Sequence, residues 1–240
     1  MFHVKRSTMA EWELPADLVL AAEALFGDRV GLAGRYAELL TTDGVIRGLL
    51  GPREAPRIWE RHLLNCAVVA ELIPSGASVV DVGSGAGLPG MVLAVARPDL
   101  TVTLVEPLAR RTVFLSEAVA TLGLDGMTTV YRARAEDCAG KLPLADIVTA
   151  RAVAPLDRLA GWCLPLAAVG GRMLALKGAS ADAEILEYEA AVSRLGGGTP
   201  VVRLLGGEIL QSPTTVVEVV RERDVTPTAR RRKAGGRRSR

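Results

Sequence analysis

Residues 79–90 read VVDVGSGAGLPG. An apolar run ends at Asp81, and Gly83, Gly85, Gly87 and Gly90 follow. A helix is expected to start near Leu88–Gly90. Glycine lets a chain turn sharply and approach a ligand with no Cβ in the way. A helix start adds N–H groups that have no partner within the helix. A strand, a glycine turn and a helix in this order open many nucleotide-binding α/β sheets.

Two registers of the turn compete. Gly85-Ala86-Gly87-Leu88-Pro89-Gly90 is a literal G-x-G-x-x-G, the dinucleotide fingerprint. Asp81-Val82-Gly83-Ser84-Gly85-Ala86-Gly87 is D-x-G-x-G-x-G instead. The second register places a carboxylate two residues before the first glycine, where it would repel a pyrophosphate. Pro89 also removes an N–H from the helix start. The turn therefore suits a ligand without phosphate that offers ammonium or hydroxyl donors, as S-adenosylmethionine does. Glu106 lies nineteen residues after Gly87 and can accept two ribose hydroxyls. Arg134-Ala135-Glu136-Asp137 follows the third strand, where an adenine amino group would be read. Each of these carboxylates alone reads as a solvated loop residue. Carboxyl-bearing turns after three successive strands favour a nucleoside site.

Outward from the turn, short apolar strands alternate with helical stretches. Strands are expected at 78–82, 101–105, 128–133, 145–150, 172–177, 199–205 and 214–220, with helices at 88–97, 108–122, 155–167 and 181–195. Such alternation predicts a doubly wound, mostly parallel sheet. Too few residues separate the last two strands for a helix, so a hairpin should make one strand antiparallel. The residues before this region read as helical. Leu18, Ala22, Leu25 and Phe26 share one face, as do Leu32, Tyr36, Leu39 and Leu40. In a third helix Ile58, Leu63, Cys66, Val69 and Ile73 should face a core. The expected organisation is a helical extension over 1–75, an α/β domain over 76–221 and a basic, disordered tail over 222–240.

Composition bounds the function. The chain has 240 residues, 49% of them hydrophobic, which fits a single sizeable core. Net charge is +2, but residues 226–240 carry seven basic residues and no acid, so the preceding 225 residues hold −5. Basic tails of this kind bind polyanions. Cys66, Cys138 and Cys163 are widely separated and form no metal-ligand spacing, so no metal site is expected. No apolar run approaches the ~18 residues of a membrane span, and the opening MFHVKR lacks the apolar stretch of a signal peptide. The expectation is a cytoplasmic monomer with no membrane partner.

Together these segments resemble a class I S-adenosylmethionine-dependent methyltransferase. More narrowly, the chain resembles the bacterial small-subunit ribosomal RNA guanine-N7 methyltransferase family, also called glucose-inhibited division protein B. The similarity is carried by WERHLLN (59–65), VVDVGSGAGLPG (79–90), VEPLARRTVFL (105–115), RAED (134–137), ARAVAPL (150–156) and ALKG (175–178). It implies a Rossmann-like seven-stranded sheet with one antiparallel strand, S-adenosylmethionine as cofactor, and 16S ribosomal RNA of the small subunit, in its decoding region, as substrate. It implies that Gly83, Gly85 and Leu88 line the cofactor site, that Glu106 holds the ribose, and that Ala135 and Glu136 meet the adenine. Arg151 would sit at the junction of cofactor and substrate. Asn65 stands where many members have Asp, and Ala150 where many have Ser. Asn keeps the shape and loses the charge, so no proton-transfer role is assigned to position 65.

Guanine N7 carries a free lone pair, so its methylation is a problem of alignment rather than of proton removal. Arg151 and Lys177, at the ends of strands four and five, and His62, on the third helix, are the candidate catalytic residues. Asp81 and Gly87 join the cofactor set on the reading of the turn. Arg61, Asn65, Arg110, Arg111, Lys177, Arg230, Arg231, Arg232 and Lys233 are the candidate RNA contacts. For His62 the competing reading is a packed or capping residue; for Lys177 it is a surface salt bridge. A methyltransferase of the same fold with another RNA or a small molecule as substrate is an alternative. A non-catalytic assembly factor that binds cofactor and RNA is another.

Overall fold

The computed structural model describes residues 10, 12–151 and 154–225. Its centre is a seven-stranded sheet in the order β3-β2-β1-β4-β5-β7-β6. The strands are β1 (Ser78–Val82), β2 (Thr101–Val105), β3 (Thr128–Tyr131), β4 (Ala145–Arg151), β5 (Ala167–Lys177), β6 (Val201–Leu205) and β7 (Thr214–Val220). The first five pair in parallel, and β7 runs antiparallel to both β5 and β6. The order reverses between β1 and β4, and an open α/β sheet forms its ligand crevice beside such a switch.

Four strands differ in length from the sequence expectation, β4 by the single residue Arg151. β5 starts at Ala167, five residues before Arg172, because its pairing with β4 continues past an irregularity between Ala145 and Ile147. Gly171 belongs to this irregularity. A Cβ there would lie 2.8 Å from the Asp146 carbonyl oxygen. β3 stops at Tyr131 rather than 133, and β6 begins at Val201 rather than 199.

The sheet is buried on both faces by residues of alternate parity, as strands with two covered faces require. Val79, Ile147, Leu174 and Leu176 point into one core with the N-terminal helices. Val80, Val82, Val148, Ala150, Met173 and Ala175 point into the other. α1 (Val19–Phe26) and α2 (Val30–Leu39) lie on the first face. They are joined there by α3, residues 58–72, which winds through π, α and 3-10 turns in succession. α4 (Gly90–Ala96) is GMVLAVA, apolar all round, and is enclosed between these helices and the sheet. α5 (Ala109–Leu122) packs beside α2. α6 (Leu156–Cys163) and α7 (Ala181–Arg194) cover the second face. Trp59 is buried in the first core, edge-on to Phe26, and its indole N–H donates to the Trp12 carbonyl at 2.8 Å. Beyond β7, the Glu222 N–H donates to the Gly196 carbonyl, 2.9 Å. No described helix is long and apolar enough to cross a membrane.

Candidate active site

The glycine turn is held from three sides. From below, the N–H groups of Gly83 and Ser84 both donate to the Val105 carbonyl of β2, at 2.9 and 3.1 Å. Within the turn, Gly87 N–H donates to the Ser84 carbonyl at 2.7 Å. From the helical extension, the Tyr36 hydroxyl donates to the Ala86 carbonyl at 2.6 Å. Gly87 has φ +99°, and a Cβ there would lie 2.6 Å from the Tyr36 oxygen and 2.9 Å from Met91 Cβ. Its glycine is thus required by the helices packed behind the turn.

Asp81 is fully buried under the turn. One carboxylate oxygen accepts from the Thr149 hydroxyl at 2.9 Å, the other from Gly90 N–H at 3.2 Å. Burial lifts its pKa to about 6, against the opposing pull of these hydrogen bonds. The sequence reading placed this carboxylate against a ligand ammonium. The structure places it beneath the surface, where it ties β1 to β4 and to the start of α4. Gly90 is the counterpart of this contact, since a Cβ would lie 2.7 Å from Asp81 Cβ.

A cavity of about 370 Å³ opens over the ends of β1, β2 and β3. Val82, Gly83, Glu106, Ala135 and Glu136 line it, and Trp162 of α6 faces them. Glu106 is almost wholly buried, and its two oxygens accept from Gly85 N–H and Leu108 N–H, both at 3.0 Å. Arg111 stands 3.5 Å from the same carboxylate, and its buried Nε has no hydrogen-bond partner among the described residues. A carboxylate on one wall and an apolar rim fit the hydroxyls and flat base of an adenosine. The residues present therefore suit S-adenosylmethionine. Of the sequence-predicted cofactor set, Gly83, Glu106, Ala135 and Glu136 line this cavity, and Gly85 reaches it through Glu106. Gly87 and Leu88 pack into the core behind the turn. Arg111, expected on an RNA surface, lines the cavity instead, whereas Arg110 is exposed.

A larger cleft of about 1150 Å³ lies over the ends of β4, β5 and β7. It gathers Arg61, His62, Asn65, Arg151 and Lys177, all expected from sequence, and adds Glu54, Glu184 and Tyr188. Arg151 Nη2 lies 3.0 Å from His62 Nδ1, and His62 Nε2 lies 2.9 Å from Glu54 Oε2. A guanidinium only donates, so Nδ1 accepts, and Nε2 carries the proton it gives to Glu54. Burial and the nearby Arg151 charge hold the His62 pKa below the ordinary imidazole value, consistent with a neutral ring. Arg61 is half exposed, 3.8 Å from Glu54. The Asn65 carbonyl accepts from the Thr214 hydroxyl at 3.2 Å, tying α3 to β7.

Lys177 is largely buried, against the expectation of a free phosphate contact. Its ammonium donates to Glu184 at 2.6 Å and to the Ala154 carbonyl at 2.8 Å. Glu184 also accepts from Leu156 N–H at 3.1 Å. Together they hold Ala154 and the first residue of α6. Tyr36, Glu54, Thr149 and Glu184 are the residues sequence reasoning did not single out for the site. Arg230, Arg231, Arg232 and Lys233 lie outside the described residues.

Residues 30–208 match the GidB family, described as rRNA small subunit methyltransferase G. A protein of Salinispora tropica named ribosomal RNA small subunit methyltransferase G is 64% identical over 232 residues, 93% of this chain and 96% of its own. One of the same name from Thermobifida fusca is 55% identical over 238 residues, covering 97% of this chain and 98% of its own. Among solved structures, an S-adenosylmethionine-dependent O-methyltransferase of Thermotoga maritima aligns with TM-score 0.53 at 14% identity, over 68% of this chain and 66% of that one. A putative O-methyltransferase of Klebsiella pneumoniae aligns with TM-score 0.51 at 14% identity, over 78% and 90%. At that identity these two structures speak for the fold alone, which is that of class I methyltransferases. With its sheet order, a cavity over the strand ends lined by Gly83 and Glu106, and relatives matching over nearly the whole length, the chain belongs to the GidB family and is an S-adenosylmethionine-dependent methyltransferase.

Proposed function

We propose that the protein methylates N7 of one guanine in 16S ribosomal RNA, in the decoding region of the small ribosomal subunit. The naming of its relatives supports ribosomal RNA as the acceptor. The observation that supports N7 is the engagement of His62 and Lys177, the two candidate bases read from the sequence, within the large cleft. His62 has one ring nitrogen engaged by Arg151 and the other by Glu54. Lys177 is committed to Glu184 and Ala154. An exocyclic amine or a ribose hydroxyl must lose a proton around the time it is methylated, and general-base catalysis needs a side chain within reach to take it. Guanine N7 loses none, so a cleft that positions without deprotonating is sufficient.

S-adenosylmethionine, when bound, supplies an electrophilic methyl group on a sulfonium. Glu106 takes the ribose hydroxyls, and Gly83, Ala135 and Glu136 frame the base. Arg151 stands on β4, between the strand that carries the glycine turn and the strand that ends at Lys177. From there it holds an anionic group, a phosphate or the carboxylate of the methyl donor, at the junction of the two clefts. Arg61 and Asn65 on the cleft rim, Arg110 at the start of α5 and Arg230–Lys233 of the tail contact RNA. Alignment of nucleophile and methyl is then the catalytic contribution.

The test is transfer from labelled S-adenosylmethionine to small subunits that lack the modification, with the product nucleoside identified by mass and by N7-specific strand cleavage. Cleavage at one guanine is the expected result. Label on an exocyclic nitrogen or a ribose would overturn the N7 assignment. Cofactor binding without transfer to subunits, precursors or naked RNA would overturn the acceptor.

A further inference from the structure

Arg151 is oriented in an unusual way. Among the described residues it has no carboxylate at ion-pair distance; its guanidinium donates to His62 Nδ1 at 3.0 Å and stands 3.7 Å from the Cys66 sulfur. A carboxylate would orient the guanidinium and neutralise it. A neutral imidazole orients it and leaves the charge available to a ligand. The imidazole is itself fixed by Glu54, which sits eight residues earlier, on the turn segment Pro52–Arg57. We propose that His62 is a positioning residue for methyl transfer: its Nδ1 lone pair aims the Arg151 guanidinium into the cleft, and Glu54 selects the tautomer that makes this possible. The part that concerns methyl transfer rests on the proposed function.

A pH dependence follows. The charged and titratable groups facing His62 are Glu54 from the preceding turn segment, Arg61 and Cys66 from its own helical segment, and Arg151 from β4. When His62 takes a proton, Nδ1 becomes a donor facing another donor, and two cations meet. Arg151 then loses its aim. The transfer rate should fall on the acid side, with a midpoint below the ordinary imidazole value.

Two substitutions separate the two ring nitrogens. His62→Asn places an amide oxygen near the Nδ1 position and keeps an acceptor for Arg151. His62→Gln reaches the Nε2 position and keeps only the contact to Glu54. In single-turnover transfer to undermethylated small subunits, H62N should stay within about threefold of the parent and lose the acid limb. H62Q should fall about ten- to hundredfold in rate with cofactor affinity unchanged. Equal rates for the two variants, or an acid limb that persists in H62N, would overturn the proposal.

A second readout needs no substrate. The chain has only two histidines, His3 and His62, so nitrogen NMR on histidine-labelled protein is assignable with a single His3 variant. At neutral pH the His62 Nδ1 should be unprotonated and Nε2 protonated, and the Nδ1 signal should move in Arg151→Met. An Nδ1–H tautomer or an imidazolium would overturn the geometry. Absence of transfer by the parent protein would instead overturn the proposed acceptor.

Discussion

Tyr36→Phe removes one oxygen from the helical extension and nothing else. That oxygen is buried and donates to the Ala86 carbonyl at 2.6 Å, in the middle of the glycine turn. The variant leaves a buried acceptor without this donor, which costs about 1–3 kcal/mol. For a chain of this length that lowers the melting midpoint by about 2–4 °C per kcal/mol. Cofactor affinity should weaken several-fold, because the turn bounding the adenosine cavity loses its brace. Gly87→Ala tests the same contact from the other side. It forces a side chain into φ +99°, costing about 1–2 kcal/mol. It also drives a methyl to within 2.6 Å of the Tyr36 oxygen and 2.9 Å of Met91 Cβ, worth about 1–3 kcal/mol more. Since Tyr36→Phe relieves one of those clashes, the double variant should be less destabilised than the sum of the two by about 1 kcal/mol. Urea unfolding of the four proteins, with calorimetric titration of S-adenosylmethionine, reads both effects. A Tyr36→Phe stability within about 0.5 kcal/mol of the parent, together with strict additivity, would refute the brace.

Two other perturbations probe charge. The pKa of Asp81 is raised from 3.8 to about 6, so between those values the native state holds more protons than the unfolded one. Its contribution therefore favours the fold below about pH 4 and is lost as pH rises through 6, by about 2–3 kcal/mol. Asp81→Asn should remove that slope, so the stability difference between variant and parent changes across the window when unfolding is followed from pH 4 to pH 7. A parallel pair of pH profiles would contradict the burial of an ionisable carboxyl. Deletion of residues 226–240 removes seven positive charges. The salt dependence of RNA binding should then flatten, by up to about 5 in the log–log slope if all seven meet phosphates, while cofactor affinity stays unchanged. An unaltered slope would remove the tail from the RNA interface.

What the sequence disclosed followed the physics that sequence carries. The expected boundaries of β1, β2 and β7 match the structure, because valine and threonine mark these strands to their ends even where Asp81, Thr103 or Glu218 interrupts the apolar pattern. The start of β5 is not legible because AAVGG holds one branched side chain, Val169, and ends in two glycines, and backbone pairing around the bulge at Gly171 supplies what side chains do not. Asp81 is more instructive. Its position in the motif was legible, and its direction was legible too, from strand parity. It shares a face with Val79, which points into the core beside α4, while Val80 and Val82 point the other way. A carboxylate of that parity goes under the turn. The partners of the large cleft carried no such signal. Glu54 is one of 27 acidic residues, set in a proline-flanked stretch, and it meets Arg151 only through His62.

The helical extension is part of the site rather than an appendage to it. Tyr36 braces the turn beside the adenosine cavity, and Glu54 with His62 aims the arginine of the larger cleft. These two contacts come from different helical segments, α2 and the region from 52 to 62; the two pack on each other, and α2 and the continuation of α3 past Leu64 pack on α4. A loosening of that packing must therefore be felt in both clefts together. Substitution of Trp59, which joins Trp12 and Phe26 in the shared core, is where such coupled loss should start. Because Trp59 touches neither cleft, a parallel decline in cofactor affinity and in transfer rate on its truncation would come through the extension alone. A decline in one without the other would mean that the two contacts are held independently.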